Sequence, residues 1–211
     1  MVGIPISQEQ FCYAQRWCRG LGVEIQLGDY REVTEQFDRV VSVGMVEHVG
    51  YKSYRTYMRA VARSLGEDGL FLCQGICGNF SRVHTDPWIK RYIFPNSMLP
   101  SLAQLTRAAE SVFIVEDVKN IGPNYDPTLL AWEENFRRAW PRFADRYGER
   151  FRRMWRFYLL SCAGAFRARS LQVFSILFSK EDTAIESGVR EQRQTASSSR
   201  TAVLPEPSAR F

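Results

Sequence analysis

An α/β architecture with a doubly wound, parallel sheet is predicted for this chain, and three features of its 211 residues carry the prediction. Strand-like and helix-like segments alternate through the first two thirds. The β-branched run Phe37 to Met45 shows no polar face, which suits a strand buried on both sides. Polar residues (Ser7, Asp29, Glu47) fall just after strand-like runs, where open α/β sheets bind their ligands.

The elements follow in order. Val2 to Ile6 is a short apolar run. Ser7-Gln8-Glu9-Gln10 fits a capping box, Ser7 at the N-cap and Gln10 three residues on, so a helix should run to about Arg19 and stop at Gly20 and Gly22. Val23 to Leu27 alternates with period two, as a strand does. After the buried strand, Tyr51 to Leu65 reads as a helix ended by Gly66, and Gly69 to Cys77 as another apolar strand. Residues 78 to 98, with Pro87 and Pro95, read as an irregular insertion. Leu102 to Ser111 suits a helix and Val112 to Val118 a strand. From Thr128 the chain is helical for some forty residues, interrupted near Pro141, with Trp140, Phe143, Tyr147, Phe151, Met154, Trp155, Tyr158 and Cys162 at helical spacing. Leu171 to Phe178 is a last strand. Residues 1–180 thus read as one domain, and 181–211, which lack apolar periodicity, as a disordered tail.

Composition narrows the function. No apolar run approaches the ~18 residues that a membrane span needs, and the N-terminus has neither the charged nor the apolar region of a secretory signal. Five cysteines without a CxxC pair, and two histidines, argue against a disulfide framework or a zinc site and for a reducing cytoplasm. The net charge of +5 is uneven: residues 136–169 hold ten Arg against Asp145 and Glu149, a balance of +8 that leaves −3 for the rest. Such a segment suits an anionic partner or, equally, a solvated helix face. No recognition motif supports nucleic acid.

Carboxylates after neighbouring strands suit a nucleoside-like cofactor, since they accept hydrogen bonds from hydroxyl and amino groups. Asp29 also suits a plain turn or helix cap. Glu47 differs: it follows a strand with no exposed face and has apolar Met45 and Val46 before it, so a carboxylate there is expected to be desolvated and to need a partner.

Val43-Gly44-Met45-Val46-Glu47-His48-Val49-Gly50 resembles the VGMxEHVG signature of cyclopropane-fatty-acyl-phospholipid synthases and the related mycolic acid cyclopropane synthases. GIPISQEQ resembles the family's GVTxSxEQ, LGDYR its LxDYR and FDRVVSVGM its FDxIVSxGM. DPWIKRYIFPNSMLPS, NYDPTLLAW and CAGAFRARSLQVFSILFS resemble further long segments, so the likeness spans residues 2 to 180.

The resemblance implies a Rossmann-like class I methyltransferase sheet with helices on both faces and a helical insertion before the last strand. It implies S-adenosylmethionine and bicarbonate as cofactors and no metal. The reaction would bridge the cis double bond of an unsaturated phospholipid acyl chain: the alkene attacks the sulfonium methyl, and bicarbonate takes a proton as the ring closes. Glu47 would hold the bicarbonate through its proton, Tyr125 would contact it, and the backbone of Ile76 would join that site. Gly3, Ser7 and Gln10 would meet the cofactor at a strand-to-helix turn, Asp29 and Tyr30 on its adenosine side. A cytoplasmic enzyme peripheral to the inner membrane surface is implied, with a homodimer left open.

The chain also departs from the pattern. The family's glycine-rich loop, the strand before it and a bicarbonate-binding cysteine find no match, so the first β-α unit is expected to be missing, with an open pocket and weak or no cofactor binding. Gln74 stands where the family has a histidine; it can donate a hydrogen bond but cannot change protonation state. Pro5 replaces a threonine. Two other readings remain: a lipid methyltransferase that adds a methyl rather than a ring, and a non-catalytic membrane-associated protein whose segment 136–169 lies on anionic lipid.

Overall fold

The computed structural model describes residues 1–180 and the backbone of residues 201–204. Its strands are β1 (Val2–Gly3), β2 (Glu24–Ile25), β3 (Phe37–Val43), β4 (Leu65–Gly78), β5 (Ile114–Asn120), β6 (Leu171–Ser179) and β7 (Thr201–Leu204). Among the described residues they form one sheet in the order β2-β1-β7-β3-β4-β6-β5. The helices are α1 (Gln8–Trp17), α2 (Val46–Val49), α3 (Tyr54–Arg63), α4 (Pro87–Tyr92), α5 (Leu102–Ala109), α6 (Tyr125–Ala139) and α7 (Ala144–Arg167).

The parallel pairing expected of the first four strand-like runs holds, since β1 pairs parallel with β2 and β3 with β4, while the sheet as a whole is mixed: β6 runs antiparallel to both β4 and β5. The connection explains this. The segment from β5 through α6 and α7 leaves and rejoins the sheet at the same end, where the N–H of Ile121 donates to the carbonyl of Val173 (2.8 Å), so β6 must run back. One correction concerns the expected tail. Residues 181–200 and 205–211 lie outside the described residues, but 201–204 form β7 between β1 and β3, parallel to both, with Ala202 opposite Val2 and Val40. The position left open by the expected missing β-α unit is therefore filled by backbone. The physical reason is that β1 and β3 each present a row of N–H and C=O groups that a short strand from the TAVL run can satisfy.

Alternation along β4 and β6 builds two faces. Phe71 and Cys73 of β4 and Ile176 and Phe178 of β6 point to one face, where α3 (Tyr57, Met58, Val61) and α5 (Leu105, Ala109) cover them. The apolar residues of α3 fall at i, i+3, i+4 and i+7 from Tyr54, the stripe a covering helix needs. Phe71 and Phe178 are fully buried and stack at 5.5 Å. Each such ring contributes ~1.5–3 kcal/mol by burial. The opposite face carries Ile76 and Val173, cross-strand partners packed under Leu129 of α6 and Leu159, Ala163 and Phe166 of α7. Arg156 and Glu133 (2.6 Å) and the ring of Phe136 against those of Phe151 and Trp155 (6.4 and 6.5 Å) join α6 to α7.

Candidate active site

The chain leaves β3 through Gly44, whose φ of 65° is the left-handed conformation glycine adopts without strain. The Gly44 N–H donates to the carbonyl of Gln74 (2.9 Å), which ties this turn to the neighbouring strand. Helix α2 then begins, and Glu47 lies in its first turn, 6% exposed. Its Oε1 accepts the backbone N–H of Ile76 at 2.6 Å. Gly75 makes the approach feasible: a Cβ there would sit 2.4 Å from Val46 Cγ1 and 3.2 Å from Glu47 Oε2. The carboxylate inferred from the sequence as desolvated and in need of a partner is thus buried, and one of its oxygens is held by the strand next door.

The same strand presents Gln74 on the face that carries Ile76. Gln74 Oε1 accepts from the Ser175 hydroxyl of β6 (3.1 Å), which sets the amide's orientation and turns its NH2 the other way as a donor. Tyr125 opens α6, lies against the Phe166 ring (5.1 Å), and packs into the cluster that also takes up Ile76. The structure joins Glu47 and Ile76 directly and packs Tyr125 against the cluster that takes up Ile76, while Gln74 stands two residues before Ile76 on the same face of β4. The N–H of Ile76 is engaged by Glu47, so its role here is to orient that carboxylate.

The cofactor-side residues separate into two groups. A cleft of about 290 Å³ lies beyond the ends of β1, β2 and β3, lined by Ile4, Ile6, Gln10, Asp29, Tyr30, Met45 and His48 among others. Gln10, Asp29 and Tyr30 reach it; Gly3 and Ser7 do not line it. Ser7 is the N-cap of α1, its Oγ accepting from the Gln10 N–H (3.3 Å), and Gly3 sits in β1, where a Cβ would meet Ile25 at 3.1 Å. Asp29 combines both readings offered by the sequence: it caps a short 3-10 turn through the Arg31 N–H and holds the Arg31 guanidinium (Nε to Oδ1 2.9 Å). The hydrogen bonds from Arg31 keep its carboxyl below the ordinary value. Tyr30 is half-buried, and desolvation raises its hydroxyl's pKa.

Three further neighbours surround these residues, of which the sequence pointed to His48 alone, beside Glu47. His48 is half-buried with its ring edge-on to Phe94 (5.8 Å), and desolvation lowers its pKa, so the imidazole is neutral at pH 7. Tyr54 is buried and its hydroxyl has no hydrogen-bond partner among the described residues. Burial, then the charges of Cys77 and Glu47, push that hydroxyl's pKa up. Cys73 is pushed up to about 12, by burial first, with Glu47 adding to it, so it is not a reactive thiolate. The helical stripe through Tyr54 marks it as core, and nothing in the sequence places it beside Glu47.

A parallel sheet with a cofactor-sized cleft across its strand ends, closed by an antiparallel strand pair and a helical cover, is the class I methyltransferase architecture. Within that class the chain belongs to the mycolic acid cyclopropane synthetase family, whose model matches residues 1–176. It is 50% identical over 193 residues to the cyclopropane-fatty-acyl-phospholipid synthase of Escherichia coli (strain K12), an alignment that covers 92% of this chain and 50% of that protein. The Mycobacterium tuberculosis tuberculostearic acid methyltransferase UfaA1 is 35% identical over 183 residues, covering 82% of this chain and 43% of its own length. The chain thus spans about half the length of the curated relatives it matches. Among solved structures, the mycolic acid cyclopropane synthase CmaA1 complexed with SAH and CTAB superposes with a TM-score of 0.77 at 25% identity, over 85% of this chain and 69% of that one.

Proposed function

We propose that this chain is the catalytic portion of a cyclopropane-fatty-acyl-phospholipid synthase. It would transfer a methylene from S-adenosylmethionine to the cis double bond of an unsaturated phospholipid acyl chain, with bicarbonate as proton acceptor. The observation that carries the reading is the buried Glu47 carboxylate held by the Ile76 N–H.

The residues fit both small groups. The cleft offers apolar walls (Ile4, Ile6, Met45) for a flat base, with Asp29 and Gln10 for polar edges. Bound there, S-adenosylmethionine supplies an electrophilic methyl; bicarbonate supplies a weak base. Glu47 is an acceptor only, so it can bind bicarbonate solely by taking the hydrogen bond of the anion's own O–H, with the Gln74 amide and the Tyr125 hydroxyl as donors to the other oxygens. The Ile76 N–H fixes the orientation of Glu47, and Ile76, Leu129 and Leu159 keep water from the carbon that becomes cationic. Cofactor affinity is proposed to be weak, in the millimolar range of about −4 kcal/mol, because Asp29, the one carboxylate lining the cleft among the described residues, is already engaged by Arg31. Micromolar affinity by titration calorimetry would overturn that part.

The test is mass spectrometry of vesicle lipids after incubation with the protein and millimolar S-adenosylmethionine. Each modified acyl chain should gain one CH2 and resist ozonolysis. A CH2 gain with an ozone-sensitive double bond would assign methyl transfer instead, and unchanged lipid would refute the reading.

A further inference from the structure

We propose that the outer face of α7, with the adjoining end of α4, is the surface that meets an anionic phospholipid membrane. The inference deepens the lipid reading above and rests on it for the acyl substrate, but it stands on a separate part of the molecule. Beyond the kink at Gly148, α7 continues as one helix to Arg167. At 3.6 residues per turn, Arg150, Arg153, Phe157 and Leu160 fall on one stripe, and all four are exposed. Phe157 is 56% and Leu160 42% accessible, although the same helix hides Leu159 and Phe166 on its inner side. Trp88 of α4 meets Phe157 edge-on at 4.9 Å, and Arg91, one turn further along α4, is exposed beside it.

Charge decides the occupant. The carboxylates along this hairpin are engaged by other arginines: Glu149 by Arg152, Glu133 by Arg156, Glu134 by Arg137 and Arg138, and Asp126 by Arg167. No ion pair joins Arg150 or Arg153 to an acid among the described residues, and Asp145 precedes the kink. The result is a cationic stripe with two large apolar side chains in it. A nucleic acid would engage the arginines but leave the exposed Phe and Leu among them unburied. A lipid interface takes both, the rings entering the headgroup boundary and the guanidinium groups reaching phosphate. Among the described residues no helix is long and apolar enough to cross a membrane, so contact by this face would be interfacial. The geometry also serves the site. Tyr158, next to Phe157, packs inward in the cluster that holds Ile76 and Tyr125. Lipid surface and candidate site would then be separated by one helix, about 10 Å across.

The experiment is flotation of the whole chain with phosphatidylcholine vesicles, with and without roughly one-third phosphatidylglycerol. Binding should require the anionic lipid and weaken as salt rises from about 0.1 to about 0.5 M. Arg150→Gln with Arg153→Gln should weaken it about 25-fold, roughly fivefold for each cation lost at the surface. Phe157→Ser with Leu160→Ser should weaken it about tenfold while leaving the salt dependence in place. Unchanged thermal melts would show that the variants fold. Variants that float like the parent, or equal binding to both vesicle types, would overturn the proposal. So would a duplex oligonucleotide that displaces the vesicles through the same arginines. The assay needs neither S-adenosylmethionine nor turnover. A chain that floats but leaves lipid unaltered refutes the enzymatic reading alone, and one that alters lipid without this stripe refutes the surface alone.

Discussion

The two ends of the sheet are built differently. At one end β1 and β2 are two residues each, and α1 beside them has no buried residue and leaves Tyr13 and Trp17 exposed. At the other, β3, β4, β5 and β6 run for seven, fourteen, seven and nine residues around a core of fully buried aromatics. The cleft assigned to the cofactor opens over the thin end, and Glu47 is anchored at the thick end. The difference teaches that the anion-holding site has a scaffold of its own, while the cofactor side contributes little packing. Stability and site geometry should therefore be insensitive to changes near α1 and sensitive to changes around β4.

The largest effect is expected from Phe178→Ala, which should cost ~3–5 kcal/mol in urea unfolding, since it removes a ring buried against Phe71 and Phe113. Trp17→Ala, at 72% exposure, should change stability by less than ~0.5 kcal/mol. Equal costs would erase the contrast between the two ends. Next comes Gly75→Ala. Its Cβ would collide with Val46 Cγ1 and crowd Glu47, so it should cost ~1–3 kcal/mol, and adding Val46→Ala should recover part of that. Recovery would show that the turn before Glu47 is packed on β4 through that contact; no recovery would place the strain elsewhere.

Alkaline pH probes the same region. Burial raises the Cys73 thiol to about 12, against an unfolded value of about 8.5. Its folded pKa is the higher one, so the contribution is fully present below pH ~8.5 and is lost as pH rises toward 12, with a slope near 1.4 kcal/mol per unit for this one group. Cys73→Ala should flatten the decline measured by denaturant unfolding across that window, and an unchanged decline would exclude Cys73 as its source. The smallest loss expected at the thick end belongs to Ser175→Ala, which removes the donor to Gln74 and should cost ~0.5–1.5 kcal/mol. A larger loss would mean that the pair does more than set the amide's orientation.

Much of the thick end was legible. The β-branched run after Phe37 marked a central strand, and a carboxylate three residues beyond its turn had to be either buried and partnered or rotated away. The hydrogen bond with Ile76 was not derivable from spacing, because it depends on which strand lies next to β3; the family resemblance implied only that the Ile76 backbone joins the same site. The direction of β6 was not legible either, since alternation is the same in parallel and antiparallel pairs. Helix α4 lay inside a segment read as irregular, yet its signal was present: Asp86 caps the N–H groups of Trp88 and Ile89, with Pro87 at the first helical position. Strand β7 was hidden because four residues inside a polar tail carry no periodicity of their own; only unpaired backbone on β1 and β3 gives them a place. At the thin end Ser7 was identified correctly as a cap, but a capping hydroxyl and a ligand-binding hydroxyl look alike in sequence.

The bicarbonate dependence of methylene transfer, compared between the parent chain and Glu47→Gln, tests the central assignment most directly. A carboxylate that holds the proton-accepting anion predicts a loss of at least ~100-fold in rate, with the bicarbonate concentration for half-maximal rate raised and the melting temperature preserved. A Glu47→Gln protein with the parent's rate and the parent's response to bicarbonate would contradict it.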